Sequence, residues 1–160
     1  MLREARILFI VVTAGTVCFP SGAQTAKSAH VSTPSTWRLN QSKSDFGSIP
    51  PYRSDEINFT TDTPEKMVFS EVVVDAEGTV TRMSWNGVPD GTLQPLIGSD
   101  GDKVSFNRDA TIWRAVFHDG SSQDGHQSLS DDGKTLIQES TSSFADGSVF
   151  HMREVFERVQ

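Results

Sequence analysis

The sequence predicts an all-β protein, an antiparallel up-and-down β-barrel of about eight to nine strands. Three observations predict it. Apolar residues recur with a period of two wherever they can be counted, the pattern of a strand with one buried face. Asp-Gly pairs punctuate the chain at Asp90-Gly91, Asp100-Gly101, Asp119-Gly120, Asp124-Gly125, Asp132-Gly133 and Asp146-Gly147, with Glu77-Gly78 a near relative. Asp tolerates left-handed backbone and Gly takes positive φ at no steric cost, so these pairs read as hairpin turns. No window supports a long amphipathic helix.

In chain order, residues 1–23 read as a secretory signal peptide. Met1 to Arg6 is basic, Ile7 to Phe19 is mostly apolar, and Ser21-Gly22-Ala23 offers small residues at a cleavage site. The apolar run is too short for a lasting membrane span, so no stable membrane insertion follows cleavage. Export to the periplasm or beyond is the expectation. Cys18 raises a competing lipoprotein reading, but Val17 and Gly15 occupy the places before it in the wrong order for lipidation. Cleavage after Ala23 leaves 137 residues, no cysteine and hence no disulfide. It also removes Arg3, Arg6 and Glu4 from a total of 14 basic and 21 acidic residues. That leaves 12 against 20, a net charge of −8. An acidic surface repels phosphate backbones, which argues against nucleic-acid binding.

Residues 24–34 lack periodicity and read as a flexible leader; residues 35–160 form the barrel domain. Trp37-Arg38-Leu39 alternates as a short first strand. Pro50-Pro51 then marks an extended loop. Further strands are expected near 54–61, 66–75, 79–86, 102–108, 110–118, 122–129, 135–144 and 148–158. Met83 and Trp85 share one face of their strand. Phe150, Met152 and Phe156 share a face of the last. Between Ala110 and His118, Trp113 and Phe117 take one face, Ile112 and Val116 the other, so that strand is buried on both sides or exposes an apolar strip. A meander of this kind hides its edges most simply by closing into a barrel. A two-sheet β-sandwich is the alternative.

Three segments together carry a resemblance. They are Trp37-Arg38-Leu39-Asn40 with Lys43-Ser44-Asp45-Phe46 and the Pro-Pro pair, the run Leu129 to Leu136 around Asp132-Gly133, and the closing Val155-Phe156-Glu157-Arg158-Val159. In these the chain resembles small, uncharacterised secreted bacterial proteins with a lipocalin-like β-barrel. True lipocalins carry Gly two residues before the first-strand Trp, where this chain has Ser35. The resemblance implies a Trp37 at the closed end of the barrel, covered by Arg153 or Arg158 from the last strand in a cation–π contact. It implies no assigned activity.

Motifs for chemistry are sparse. His118 and His126 flank Asp-Gly pairs, yet no paired-His spacing accompanies them, so no metal site and no cofactor are expected. Six of the thirteen aspartates precede glycine, where turn formation accounts for them. A catalytic pair needs two carboxylates facing across a cleft; Glu71, Glu139 and Glu154 are the strand-borne candidates, and strand glutamates outside a barrel are solvated as a rule. Gly-x-Ser-x-Gly and phosphate-loop motifs are absent, so nothing supports an enzyme directly. An eight-stranded barrel is just wide enough to be filled by side chains or to hold one small ligand. Met83, Trp85, Phe106, Trp113 and Phe117 are the candidates to line such a pocket or to fill it. Two functions are therefore expected. One is a module binding a small apolar or amphipathic ligand inside the barrel. The other is a solid-core protein meeting a partner of unknown identity through a strip such as Ile112 and Val116.

Trp37 and Leu39 form the predicted clasp, meeting the last strand to close the meander. Trp37→Ala is expected to lower the unfolding free energy by about 3–5 kcal/mol. Denaturant titration checks this; an unchanged midpoint would place the clasp elsewhere.

Overall fold

The computed structural model describes residues 27–159; the predicted signal peptide lies outside them. The elements are β1 (Ser35–Leu39), β2 (Ser54–Thr63), β3 (Lys66–Val74), β4 (Val80–Gly87), β5 (Gln94–Pro95), β6 (Lys103–Phe106), β7 (Ile112–Val116), β8 (Ser122–Leu129), β9 (Thr135–Ser143) and β10 (Val149–Arg158). They form one antiparallel sheet in the order β4-β3-β2-β1-β10-β9-β8-β7-β6-β5. Chain neighbours are sheet neighbours except β4 and β5, and the first strand pairs with the last. This is an up-and-down barrel, all-β, with no α-helix among the described residues. The sheet is continuous, so the sandwich alternative does not apply.

Trp37 and Leu39 meet the last strand as expected, and the register places Trp37 opposite Arg158 and Leu39 opposite Phe156. The barrel is nearly closed rather than sealed. Its two free edges, β4 and β5, meet at a single bridge in which Ser84 and Ile97 exchange two backbone hydrogen bonds of 2.8 Å. The tenth strand escaped prediction because β5 is two residues long and ends on Pro95. A pair of residues carries no periodicity, and proline cannot donate to a ladder.

Alternation sorts the side chains into inside and outside. One end of the barrel is filled by aromatics. Trp85 lies between Phe69 and Phe106, with ring centroids at 6.1 and 5.2 Å, and Phe59 adjoins Phe69 at 5.6 Å. Such offset and tilted pairs add to the burial of the rings themselves. Trp37, also fully buried, donates its indole N–H to Ser35 Oγ at 2.9 Å. Residues 27–34, read from sequence as a flexible leader, lie against this end. Ala29 and Val31 are buried, Ala29 N–H bonds the Asp109 carbonyl at 2.9 Å, and Val31 N–H bonds Asp62 Oδ2 at 2.7 Å. His30 completes the cap by pairing with Asp62 through Nδ1 and with the Arg108 carbonyl through Nε2.

On the outside, a 3₁₀ turn at Gln41–Lys43 leads the chain across β10. Asn40 N–H bonds the Val155 carbonyl at 2.7 Å, and Ser44 Oγ accepts from Val155 N–H at 2.9 Å. Val155 is buried beneath this crossing although it points away from the barrel interior.

Five of the six Asp-Gly pairs make turns with glycine at positive φ, as at Gly120 (86°) and Gly147 (84°). The aspartate secures four of them: Asp90, Asp119, Asp132 and Asp146 each accept from the amide two residues on, as from Ser121 and Ser148 at 2.8 and 2.9 Å. Asp124-Gly125 is the exception and corrects the sequence reading. It lies within β8, with Gly125 facing inward opposite Trp113. A Cβ on Gly125 would stand 2.0 Å from Trp113 Cε2. The glycine there serves close packing of an indole across a strand, not a turn. Gly125→Ala is expected to cost about 1–3 kcal/mol by overpacking, read as a lower denaturation midpoint. An unaffected midpoint would mean that the indole moves freely.

Candidate functional site: a cavity with an acidic end

Beyond the aromatic end the interior is hollow. A cavity of about 230 Å³ lies inside the barrel. Phe59, Phe69, Phe106 and Trp113 form its apolar wall, and Tyr52, Asp55, Glu71 and Glu154 line it as well. Three strands place the carboxyl groups by the same alternation that builds the core. Asp55 is in phase with Ile57 and Phe59 on β2, Glu71 with Met67 and Phe69 on β3, and Glu154 with Met152 and Phe156 on β10. Register brings them round one level: Glu71 stands opposite Ile57, Asp55 opposite Val73, and Glu154 opposite Gln138.

Glutamines supply the facing wall. Gln138 donates to Gln127 Oε1 at 3.3 Å and Gln123 to Ser140 Oγ at 2.9 Å. Among the described residues no Lys, Arg or His lines the cavity. Asp55 is only 4% exposed, yet among the described residues its Oδ1 meets no backbone, amide or alcohol donor. Its hydrogen bond is with Glu71, which requires a proton on one of the two acids. The Trp113 indole N–H also lacks an acceptor.

Burial is the first cause of the titration behaviour here, because removing a carboxylate from water favours its neutral form. It pushes Asp55 up strongly, reinforced by the charges of Glu71 and Glu154. It raises Glu71 too, against the opposing effect of the Asp55 hydrogen bond. Glu154 is pushed up to about 7 by burial and then by Glu71. Tyr52 is raised by burial and by the same three acids.

The sequence candidates divide. Met83, Phe106, Trp113 and Phe117 line the cavity, whereas Trp85 lies outside its lining, in the packed aromatic end. Arg153 is on the outer face, 3.6 Å from Glu139 and bonded to the Lys43 carbonyl, so it does not stand over Trp37. Arg158 is opposite Trp37 in the sheet and leaves from the same face. His118 pairs with Asp102 at 3.2 Å rather than with Asp119, and His126 is exposed on β8. Among the described residues no three His, Cys, Asp or Glu side chains are grouped to hold a metal ion. Glu139 faces solvent, unlike Glu71 and Glu154.

Asp55 is the residue sequence reasoning missed. The available signal was its phase: an acid two residues before Ile57 and four before Phe59 points into the barrel. A larger groove of about 730 Å³ lies on the outer surface beside β1, where Arg38 pairs with Glu56 at 2.7 Å. Its Glu157 pairs with Lys43 at 2.7 Å and its Arg53 bonds the Ala76 carbonyl, in solvated contacts that offer little binding energy. No protein-family model matches the chain, and no curated protein matches it either.

The raised acids make a pH prediction. A carboxyl with a raised folded pKa binds more protons folded than unfolded, so its contribution is lost as pH rises from the unfolded value toward the folded one. For Glu154 that window runs from 4.5 to about 7. Stability is therefore expected to fall between pH 5 and 8, at up to about 1.4 kcal/mol for each unit of raised pKa. Glu154→Gln should flatten part of that slope and raise the denaturant midpoint at pH 8. An identical slope in the variant would assign the loss elsewhere.

Proposed function

We propose that the protein is an exported binding module that holds one small amphipathic molecule inside the barrel. The observation that carries this reading is the two-ended cavity: an aromatic wall runs into a polar, unsatisfied one within the same enclosure. Its volume of about 230 Å³ is below the roughly 300–1,000 Å³ of drug-sized sites, which suits a small compound. Export is supported by the three-part pattern of residues 1–23. The sequence resemblance to secreted bacterial proteins with lipocalin-like barrels points the same way.

The second reading, a partner-binding surface, rests on Ile112. That side chain is 57% exposed on the outer face of β7, with Val116 half-buried beside it. Acid–base chemistry has its own support in Glu71 and Glu154, whose raised pKa values are of the kind proton-transfer groups need. No nucleophile motif accompanies them.

Filling the cavity separates the readings. Ala115 lines it from β7 and is buried. Ala115→Phe is expected to abolish the ligand seen by native mass spectrometry of protein purified from its own host, while the circular dichroism of the barrel persists. Ile112→Asp should leave that ligand in place. A wild-type mass with no bound species, together with association lost in Ile112→Asp, would favour the surface reading.

A further inference from the structure

We infer that the polar end of the ligand is a cation, and that the cavity takes a small organic amine or ammonium compound with an apolar or aromatic body. This deepens the reading of the barrel as a ligand-binding module and rests on it. Every ionisable group facing the cavity is an acid: Tyr52 from the segment before β2, Asp55 from β2, Glu71 from β3 and Glu154 from β10. Strands β4, β6, β7, β8 and β9 contribute only uncharged side chains to the same space. Buried carboxylates need a paired positive charge or a proton, and the lining offers no basic side chain.

A second observation is independent of the number of acids. Asp55 is buried, and its Oδ1 meets no backbone, amide or alcohol donor among the described residues; its carboxyl meets that of Glu71, a second acid, so the pair's positive counterpart has to come from elsewhere. An ammonium group carries such donors. The rings of Phe59, Phe69, Phe106 and Trp113 border the same volume, and aromatic faces attract organic cations while packing their carbon. The acids are not grouped closely enough to hold a metal ion, which favours a cation with a body over a bare one.

Without a cation beside them the acids stay neutral by retaining protons, with burial pushing Glu154 up to about 7. A bound ammonium replaces that retained charge, so binding releases protons. Affinity therefore rises with pH as Asp55, Glu71 and Glu154 ionise, and it stops rising where the amine itself loses its proton.

Three probes of one shape test this: 2-phenylethylamine, 2-phenylethanol and phenylacetate, titrated calorimetrically into the purified protein at pH 6 and pH 8. The amine is expected to bind about tenfold or more tightly than the alcohol at pH 8. Phenylacetate should give no binding heat. The observed enthalpy for the amine should change with the ionisation heat of the buffer, showing proton release. Asp55→Asn and Glu154→Gln should each reduce the amine's advantage and leave the alcohol's affinity nearly unchanged, with folding checked by circular dichroism. Equal binding of amine and alcohol, or an advantage untouched in both variants, would overturn the cation assignment while leaving a ligand-binding barrel. No heat from any of the three would remove the binding reading itself, and the inference with it.

Discussion

The pairing of β1 with β10 is the contact on which the rest depends. Ten strands in a meander expose two long edges and one apolar face until the first strand finds the last. Trp37 opposite Arg158 and Leu39 opposite Phe156 join residues more than a hundred positions apart. Loop-closure entropy must be met before any of that burial is gained. The chain reinforces the join on three sides. Thr36 accepts from Val159 N–H, the Asn40–Asp45 crossing bonds the outer side of β10, and β2 flanks β1 on the other edge. The opposite seam, at Ser84 and Ile97, has no comparable support. If the barrel opens anywhere, the weaker ladder is there.

Closure also creates the conflict that defines the interior. Strand alternation sends every second side chain inward regardless of its chemistry. On β2, β3 and β10 that rule delivers Asp55, Glu71 and Glu154 to one level of a poorly solvated space. Their mutual repulsion and desolvation oppose folding. The aromatic end, packed around Trp85 and closed by Ala29 and Val31, offsets that cost in a domain without a disulfide. Retaining unfavourable groups where Leu or Val would pack is the kind of local inconsistency that functional sites display.

Much of the fold was legible in residue phase and turn chemistry. Apart from β5, strands from Ser54 to Arg158 lie close to their expected bounds, because Val, Thr and Phe alternate between glycine turns that aspartate secures. Gly125 was misread because an Asp-Gly pair looks the same whether its glycine turns the chain or makes room for an indole. The acidic cavity was half visible. Glu71 and Glu154 stand out in the sequence as carboxylates on strands, and each shares the phase of a Met and a Phe, the signal that it faces inward. Trp85 was placed among the pocket candidates because pockets and cores draw on the same residue types.

By itself the sequence determined the class of fold, the direction each strand's side chains take, and which turns reverse the chain. These are local properties, set by backbone sterics and a period of two. Only the tertiary structure decided that three inward acids from distant strands share one level, that no base answers them, and that the aromatic filling stops short of that level. Such facts depend on register between strands and on how many strands the barrel needs to close. Neither quantity is carried by any single stretch of chain.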